Sequence, residues 1–138
     1  MTAIRDIMHT HMVTLDASAS AYEAAQRMRD AAIGDVLVTD ASKMRGILTD
    51  RDLVVRCLAT QQDPRETRIG DICSEGLVTA SADDEVHHAA ELMKNHAIRR
   101  LPVVESGRVV GIVTLGDLAL ERDPDSALAS VSSAPPDV

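Results

Sequence analysis

Apolar residues along this chain come in two rhythms. Short β-branched and aliphatic runs at residues 12–15 (Met-Val-Thr-Leu), 36–38 (Val-Leu-Val) and 45–48 (Arg-Gly-Ile-Leu) predict strands, because such side chains fit a pleated, half-buried surface. Between the first two runs, Ala21, Ala24, Ala25, Met28 and Ala32 keep a helical period. Ser20 stands before them with capping-box spacing to Glu23. That face is built of small side chains, so the helix can lie close to its neighbour, and Gly34 is the expected stop. Residues 40–43 read as a turn, and residues 51–60 return to helix. Residues 4–8 (Ile-Arg-Asp-Ile-Met) read as a lead-in of one helical turn.

The plan then recurs. A strand at 77–79 precedes a helix through Val86, Ala89, Ala90, Met93 and Ala97. A strand at 101–104, a turn at Ser106-Gly107, a strand at 109–113 and a final helix from Gly116 follow. Sliding the sequence by 65 residues aligns 4–53 with 69–118 without a gap, and 17 of the 50 pairs are identical. Coincidence does not produce such a match, and two copies make a tandem rather than a solenoid. The expected fold is α/β (α+β), with two tandem βαββα units at 4–60 and 69–121 and a linker at 61–68. From 122 to 138 the chain is mostly Asp, Pro, Ser and Ala without a period, which reads as a disordered tail.

The most telling repeat is Gly46-Ile47-Leu48-Thr49-Asp50-Arg51-Asp52, which returns as Gly111-Ile112-Val113-Thr114-Leu115-Gly116-Asp117. A threonine hydroxyl and a carboxylate three residues apart at a strand-to-helix turn suit a neutral polyol such as ribose. The carboxylate accepts from two vicinal hydroxyls while the Thr donates or accepts beside them. The alternative is that Thr and Asp cap the following helix.

Composition sets the surroundings. The chain has 138 residues, one domain's worth. It is 45% hydrophobic, yet Tyr22 is its only aromatic, so an adenine or any other bound ring would be held by aliphatic contacts rather than by stacking. A net charge of −8 argues against a general nucleic-acid or anionic-membrane binder. No apolar run approaches the roughly 18 residues of a membrane span. The N-terminus lacks an apolar signal-peptide core, which makes a cytoplasmic protein the expectation.

The tandem βαββα plan, the lead-in Ile-Arg-Asp-Ile-Met, the run Ile98-Arg99-Arg100-Leu101-Pro102-Val103-Val104 and the doubled Gly-Ile-x-Thr-x-x-Asp together resemble a pair of CBS domains, a Bateman module. The resemblance covers roughly residues 3–121 and is strongest to small stand-alone bacterial CBS-pair proteins, including the hypoxic-response type. It implies a pseudo-twofold module, a homodimer, and an adenosine-containing regulatory ligand in clefts between the two units. It also implies signalling to a downstream protein partner that the sequence does not identify.

Residue by residue, the resemblance gives a first cleft with Thr49 and Asp52 at the ribose. Val78, Thr79, Ala80 and Ile98 lie near the base, followed by Pro102, and Arg99 and Arg100 lie near a phosphate, with Arg51 a possible third cation. Three arginines favour AMP, ADP or ATP. The second cleft takes Thr114 and Asp117, with Val13, Thr14, Leu15 and Ile33 opposite. It has Gly34-Asp35 where the first has Arg99-Arg100, and Leu115-Gly116 where the first has Asp50-Arg51. A carboxylate repels phosphate, so this cleft is expected to be weak for nucleotides, empty, or reserved for adenosine or S-adenosylmethionine. Leu37, where the second copy has Pro102, departs from the family's usual run.

Other chemistry is sparse. His9 and His11 read as an exposed loop rather than a metal site. Adjacent His87 and His88 cannot face one metal, and His96 precedes the arginine pair. Asp83-Asp84-Glu85 reads as support for a helix N-terminus. Cys57 and Cys73 open an alternative, a redox-responsive protein, beside the reading as buried reduced thiols. Another alternative is a dimeric interaction scaffold that binds no nucleotide. No nucleophile–base pair, metal cage or phosphate loop is apparent, so no enzyme, no catalytic cofactor and no metal are expected.

Overall fold

In the computed structural model, residues 2–75 and 78–122 are described. They form two compact units, each a three-stranded sheet with helices. In one sheet, β1 (Thr14–Asp16) runs parallel to β2 (Asp35–Asp40), which pairs antiparallel with β3 (Lys43–Thr49). In the other, β4 (Ala80–Ser81), β5 (Arg100–Glu105) and β6 (Arg108–Thr114) repeat that order. The repeat extends to the irregularities. The register shifts between Val38 and Thr39 in the first sheet and between Val103 and Val104, 65 positions on, in the second.

Helix α1 (Ala21–Ala31) starts where the Ser20 hydroxyl accepts from the Glu23 amide at 3.0 Å. Ala21, Ala24 and Met28 are buried, whereas Ala25, expected on the same face, is exposed. The helix ends at Ala32, which takes the left-handed conformation (φ 54°), so Gly34 is not the stop. Helix α3 (Val86–His96) closes the same way at Ala97 (φ 53°). Its N-cap Glu85 makes no side-chain cap bond, and Asp84 instead accepts from the Ser81 amide at 2.9 Å. The first motif runs into α2 (Asp50–Leu53), which widens into a π-turn over Val54–Leu58. The second runs into α4 (Leu115–Arg122). Apart from Arg122, the residues of the expected tail lie outside the described ones.

Of the strand expected at 77–79, Leu77 lies outside the described residues and Val78 and Thr79 are not in a strand; β4 starts at Ala80, and Pro102 is the reason. In the first unit the Leu37 amide donates to the Val13 carbonyl at 2.9 Å, which carries the ladder back to Thr14. Pro102 occupies the equivalent place in β5, has no N–H, and cannot donate to Val78.

The compact units differ from the sequence repeats in one respect. One unit comprises Met1–His11 with the chain from Val78 onward, and the other comprises Met12–Leu77. Each repeat's lead-in therefore packs against the strands and helix of the other repeat. The backbone hydrogen bonds show why. Ile4 and Arg5 amides donate to Asp84 and Ala82 carbonyls, while Ile69 and Gly70 amides donate to Ala19 and Ala17. Ile4 and Ile69, both fully buried, join the two separate cores. The linker is ordered too, with Thr67 buried and its hydroxyl donating to the Asp63 carbonyl at 2.8 Å.

Beyond each lead-in turn, the chain crosses the motif glycine. Ser74 exchanges both backbone hydrogen bonds with Ile47, and His9 does the same with Ile112. A Cβ on Gly46 would collide with the Ser74 carbonyl oxygen, and one on Gly111 would lie 2.8 Å from the His9 carbonyl oxygen and 2.6 Å from Met8 Sδ. Gly46→Ala should therefore cost about 1–3 kcal/mol of stability, as overpacking against backbone does. Urea denaturation measures this, and an unchanged midpoint would contradict the close crossing.

Candidate functional site

Each motif folds its Thr and Asp onto each other. The Thr49 amide donates to Asp52 Oδ2 at 2.9 Å, and the Asp52 amide donates to Thr49 Oγ1 at 3.1 Å. The second copy matches, with 2.8 Å from the Thr114 amide to Asp117 Oδ2 and 3.2 Å from the Asp117 amide to Thr114 Oγ1. This is a reciprocal capping box. The capping alternative is therefore real, but it consumes only one carboxylate oxygen of each Asp. Both Asp residues are buried, at 7% and 8% exposure.

The second carboxylate oxygens differ. Asp52 Oδ1 lies 3.8 Å from Arg56 Nε, within ion-pair range but beyond a hydrogen bond. Arg56 is held in place by Nη1 bonds to the Ile72 and Cys73 carbonyls at 3.1 and 3.2 Å. Asp117 Oδ1 lies 2.7 Å from His9 Nε2. The residue matching Arg56 in the repeat is Glu121, whose Oε1 accepts from the Thr2 hydroxyl at 2.8 Å. One motif carboxylate thus has a guanidinium one turn along its helix, and the other has a second carboxylate. His9, read from sequence as a loop residue, is the site residue that sequence reasoning missed. Its only sequence signal is its place opposite Ser74 in the repeat.

The remaining predicted residues fall in the two units as follows. Thr49, Arg51 and Asp52 share a unit with Val13, Thr14, Leu15, Ile33 and Asp35, while Val78, Thr79, Ala80, Ile98, Arg99, Arg100 and Pro102 share the other with Thr114 and Asp117. Sheet register sets Asp35 directly across from Thr49 and Arg100 across from Thr114, on a shared face in each case. The Asp50 amide donates to Gly34 O at 3.0 Å, and the Leu115 amide donates to Arg99 O at 2.9 Å. Within each unit, the Gly34-Asp35 pair and the arginine pair adjoin the motif of their own repeat. Arg51 and Arg99 are exposed, and Arg100 is half-buried. In the unit that contains them, Ile98 and Arg99 line an open groove of about 510 Å³ with Ala90, Met93, Lys94, Ala97, Leu115 and Leu118.

The other candidates are less equipped. Among the described residues no three His, Cys, Asp or Glu side chains gather as a metal site. His87 and His88 stand 3.6 Å from Glu91 and Asp84, each one turn away on or beside α3. Cys57 and Cys73 are free and buried in one core. Burial pushes the Cys73 thiol above its ordinary range, and the Glu75 charge adds to this.

Comparison with known proteins follows the same lines. The CBS domain family model matches residues 4–58 and 69–122. The CBS domain-containing protein YhcV of Bacillus subtilis is 35% identical over 136 residues, covering 96% of each chain. A crystal structure of Hypoxic Response Protein I with two coordinated zinc ions is 33% identical, with a TM-score of 0.77, over 88% of this chain and 99% of that one. The CBS domain pair of MJ0100, solved with 5'-methylthioadenosine and S-adenosyl-L-methionine, is 30% identical with a TM-score of 0.79, over 91% and 99%.

Two predictions come from this geometry. Thr49→Ala should cost about 1 kcal/mol through loss of its cap, read by urea denaturation. No change would mean that the cap is not formed. Because a raised pKa keeps the Cys73 thiol protonated and burial shields both thiols, a thiol reagent at pH 7.5 should label neither cysteine quickly in the native protein and both after denaturation. Rapid native labelling would revive a redox role.

Proposed function

The chain belongs to the CBS domain family, and on that premise we propose that it is a regulatory module binding an adenosine-containing ligand, AMP, ADP or ATP in preference, at the Thr49–Asp52 motif. The observation that carries this reading is the state of Asp52. One oxygen is fixed by the cap, while the other makes no hydrogen bond to Arg56 and is free to accept from ribose hydroxyls. The MJ0100 pair, which holds two adenosyl compounds, supports the ligand class.

Base and phosphate are assigned through the family resemblance. Val78, Thr79, Ala80 and Ile98 meet the adenine. The Val78 carbonyl, which receives no ladder bond from Pro102, is suited to the adenine amino group. Arg99 and Arg100, joined by Arg51, take the phosphate. The Thr114–Asp117 motif, with Val13, Thr14, Leu15, Ile33 and Asp35, is the poorer nucleotide site.

The protein acts by binding, not catalysis. The ligand shifts a homodimer between states by its differential affinity for them, and a partner protein reads the change. Val54, Val55 and Leu58, at 55%, 44% and 60% exposure on one helical stretch, offer the apolar surface such a dimer needs. Two free buried thiols fit a reducing, cytosolic setting. A second reading, an interaction scaffold without nucleotide, is favoured by the capping box, which gives Thr and Asp a role in the absence of any ligand.

Calorimetric titration with AMP, ADP, ATP, adenosine and S-adenosylmethionine separates the two. Asp52→Ala should lower affinity for the phosphorylated ligands roughly 10- to 100-fold, the worth of hydrogen bonds to a charged acceptor. Binding of none of the five would favour the scaffold.

A further inference from the structure

The two motifs share the capping box and the crossing, yet a different side chain stands beside each free carboxylate oxygen, Arg56 at 3.8 Å from Asp52 and His9 at 2.7 Å from Asp117. His9 reaches Asp117 because its own backbone pairs with Ile112, the residue five positions before that carboxylate. Ser74 makes the same pairing with Ile47, but no hydrogen bond joins its short side chain to Asp52 among the described residues. His9 Nε2 lies 2.7 Å from Asp117 Oδ1, an ion-pair contact when the imidazole is protonated and close enough to exclude any other group from that oxygen. With Oδ2 bonded to the Thr114 amide, each oxygen of Asp117 already has a close neighbour. An imidazole nitrogen on Oδ1 stands where a ribose hydroxyl would have to stand.

We propose that His9 is a specificity-determining residue: it occupies the polyol-binding oxygen of the Thr114–Asp117 motif from within, so that this motif accepts a ligand only when the imidazole is displaced. This rests on reading the Thr-x-x-Asp motif as a ribose site, and it adds what makes the two copies unequal. The difference follows from one position of the repeat, His9 against Ser74, in addition to the charges nearby. Displacement is feasible because the His9 side chain is 64% exposed and can swing into water without opening a core.

The test is His9→Ser, which installs the residue that the other unit carries at that place and keeps the backbone pairing. Adenosine is titrated calorimetrically into the full-length wild type, His9→Ser and the double variant His9→Ser/Asp117→Ala. We expect His9→Ser to gain a second saturable adenosine site, or to bind adenosine roughly three- to tenfold more tightly at its weaker one. The double variant should lose that gain. Identical isotherms for wild type and His9→Ser overturn the proposal, as does a gain that survives Asp117→Ala. The broader reading is judged separately, on the wild type. If wild type binds no adenosyl ligand, a site that appears in His9→Ser and vanishes in the double variant still supports the role of His9.

Discussion

Everything distinctive in this chain depends on a backbone crossing that tolerates no side chain. Where β3 and β6 approach their motifs, another stretch of chain exchanges two hydrogen bonds with Ile47 or Ile112, directly over Gly46 or Gly111. The crossing ties a remote segment to the strand end, buries Ile4 or Ile69 in the core beneath it, and fixes the turn on which Thr and Asp close their capping box. It also decides what stands beside each carboxylate. The segment that crosses Gly111 delivers His9 to Asp117, while the one that crosses Gly46 delivers Ser74 and provides the Ile72 and Cys73 carbonyls that hold Arg56 near Asp52. Two copies of one motif acquire different chemistry from the segments laid across them.

Much of the fold is legible in the sequence because local signals and tertiary demands agree. The 65-residue repeat, the Ser20 cap, the buried stripe of Ala21, Ala24 and Met28 and the hairpin turns all follow from residue type and spacing. The exceptions have identifiable causes. Pro102 withholds the amide that Leu37 provides, so the second unit's first strand is shorter than its counterpart. Ala32 and Ala97 accept left-handed backbone that propensity assigns to glycine, each at the turn from a helix into the following strand. The exchange of lead-ins between units is invisible to periodicity. Both lead-ins carry Ile-x-Asp-Ile at the same places, so nothing local says which core each one enters.

The site shows the same division. Thr49, Asp52, Thr114 and Asp117 stand out by repetition alone. The neighbours that distinguish them do not, because His9 lies 108 residues from Asp117 and reaches it only through the crossing. The charge asymmetry read from sequence acquires a further component in Arg56 against Glu121, the residue one helical turn beyond each motif Asp. A cation beside Asp52 favours an anionic ligand near that site, and a second carboxylate beside Asp117 disfavours one. The CBS-pair fold is thus used here with two unequal copies of its signature motif.

The most direct test of unequal motifs is a heteronuclear NMR titration of the isotopically labelled protein with ATP, followed at the backbone amides of both Thr-x-x-Asp turns. Saturable shifts are expected at Thr49 and Asp52, whose amides report on the cap around the open carboxylate, with Thr114 and Asp117 unmoved. Shifts confined to Thr114 and Asp117, or equal movement at both turns along one binding curve, would contradict unequal motifs of this kind.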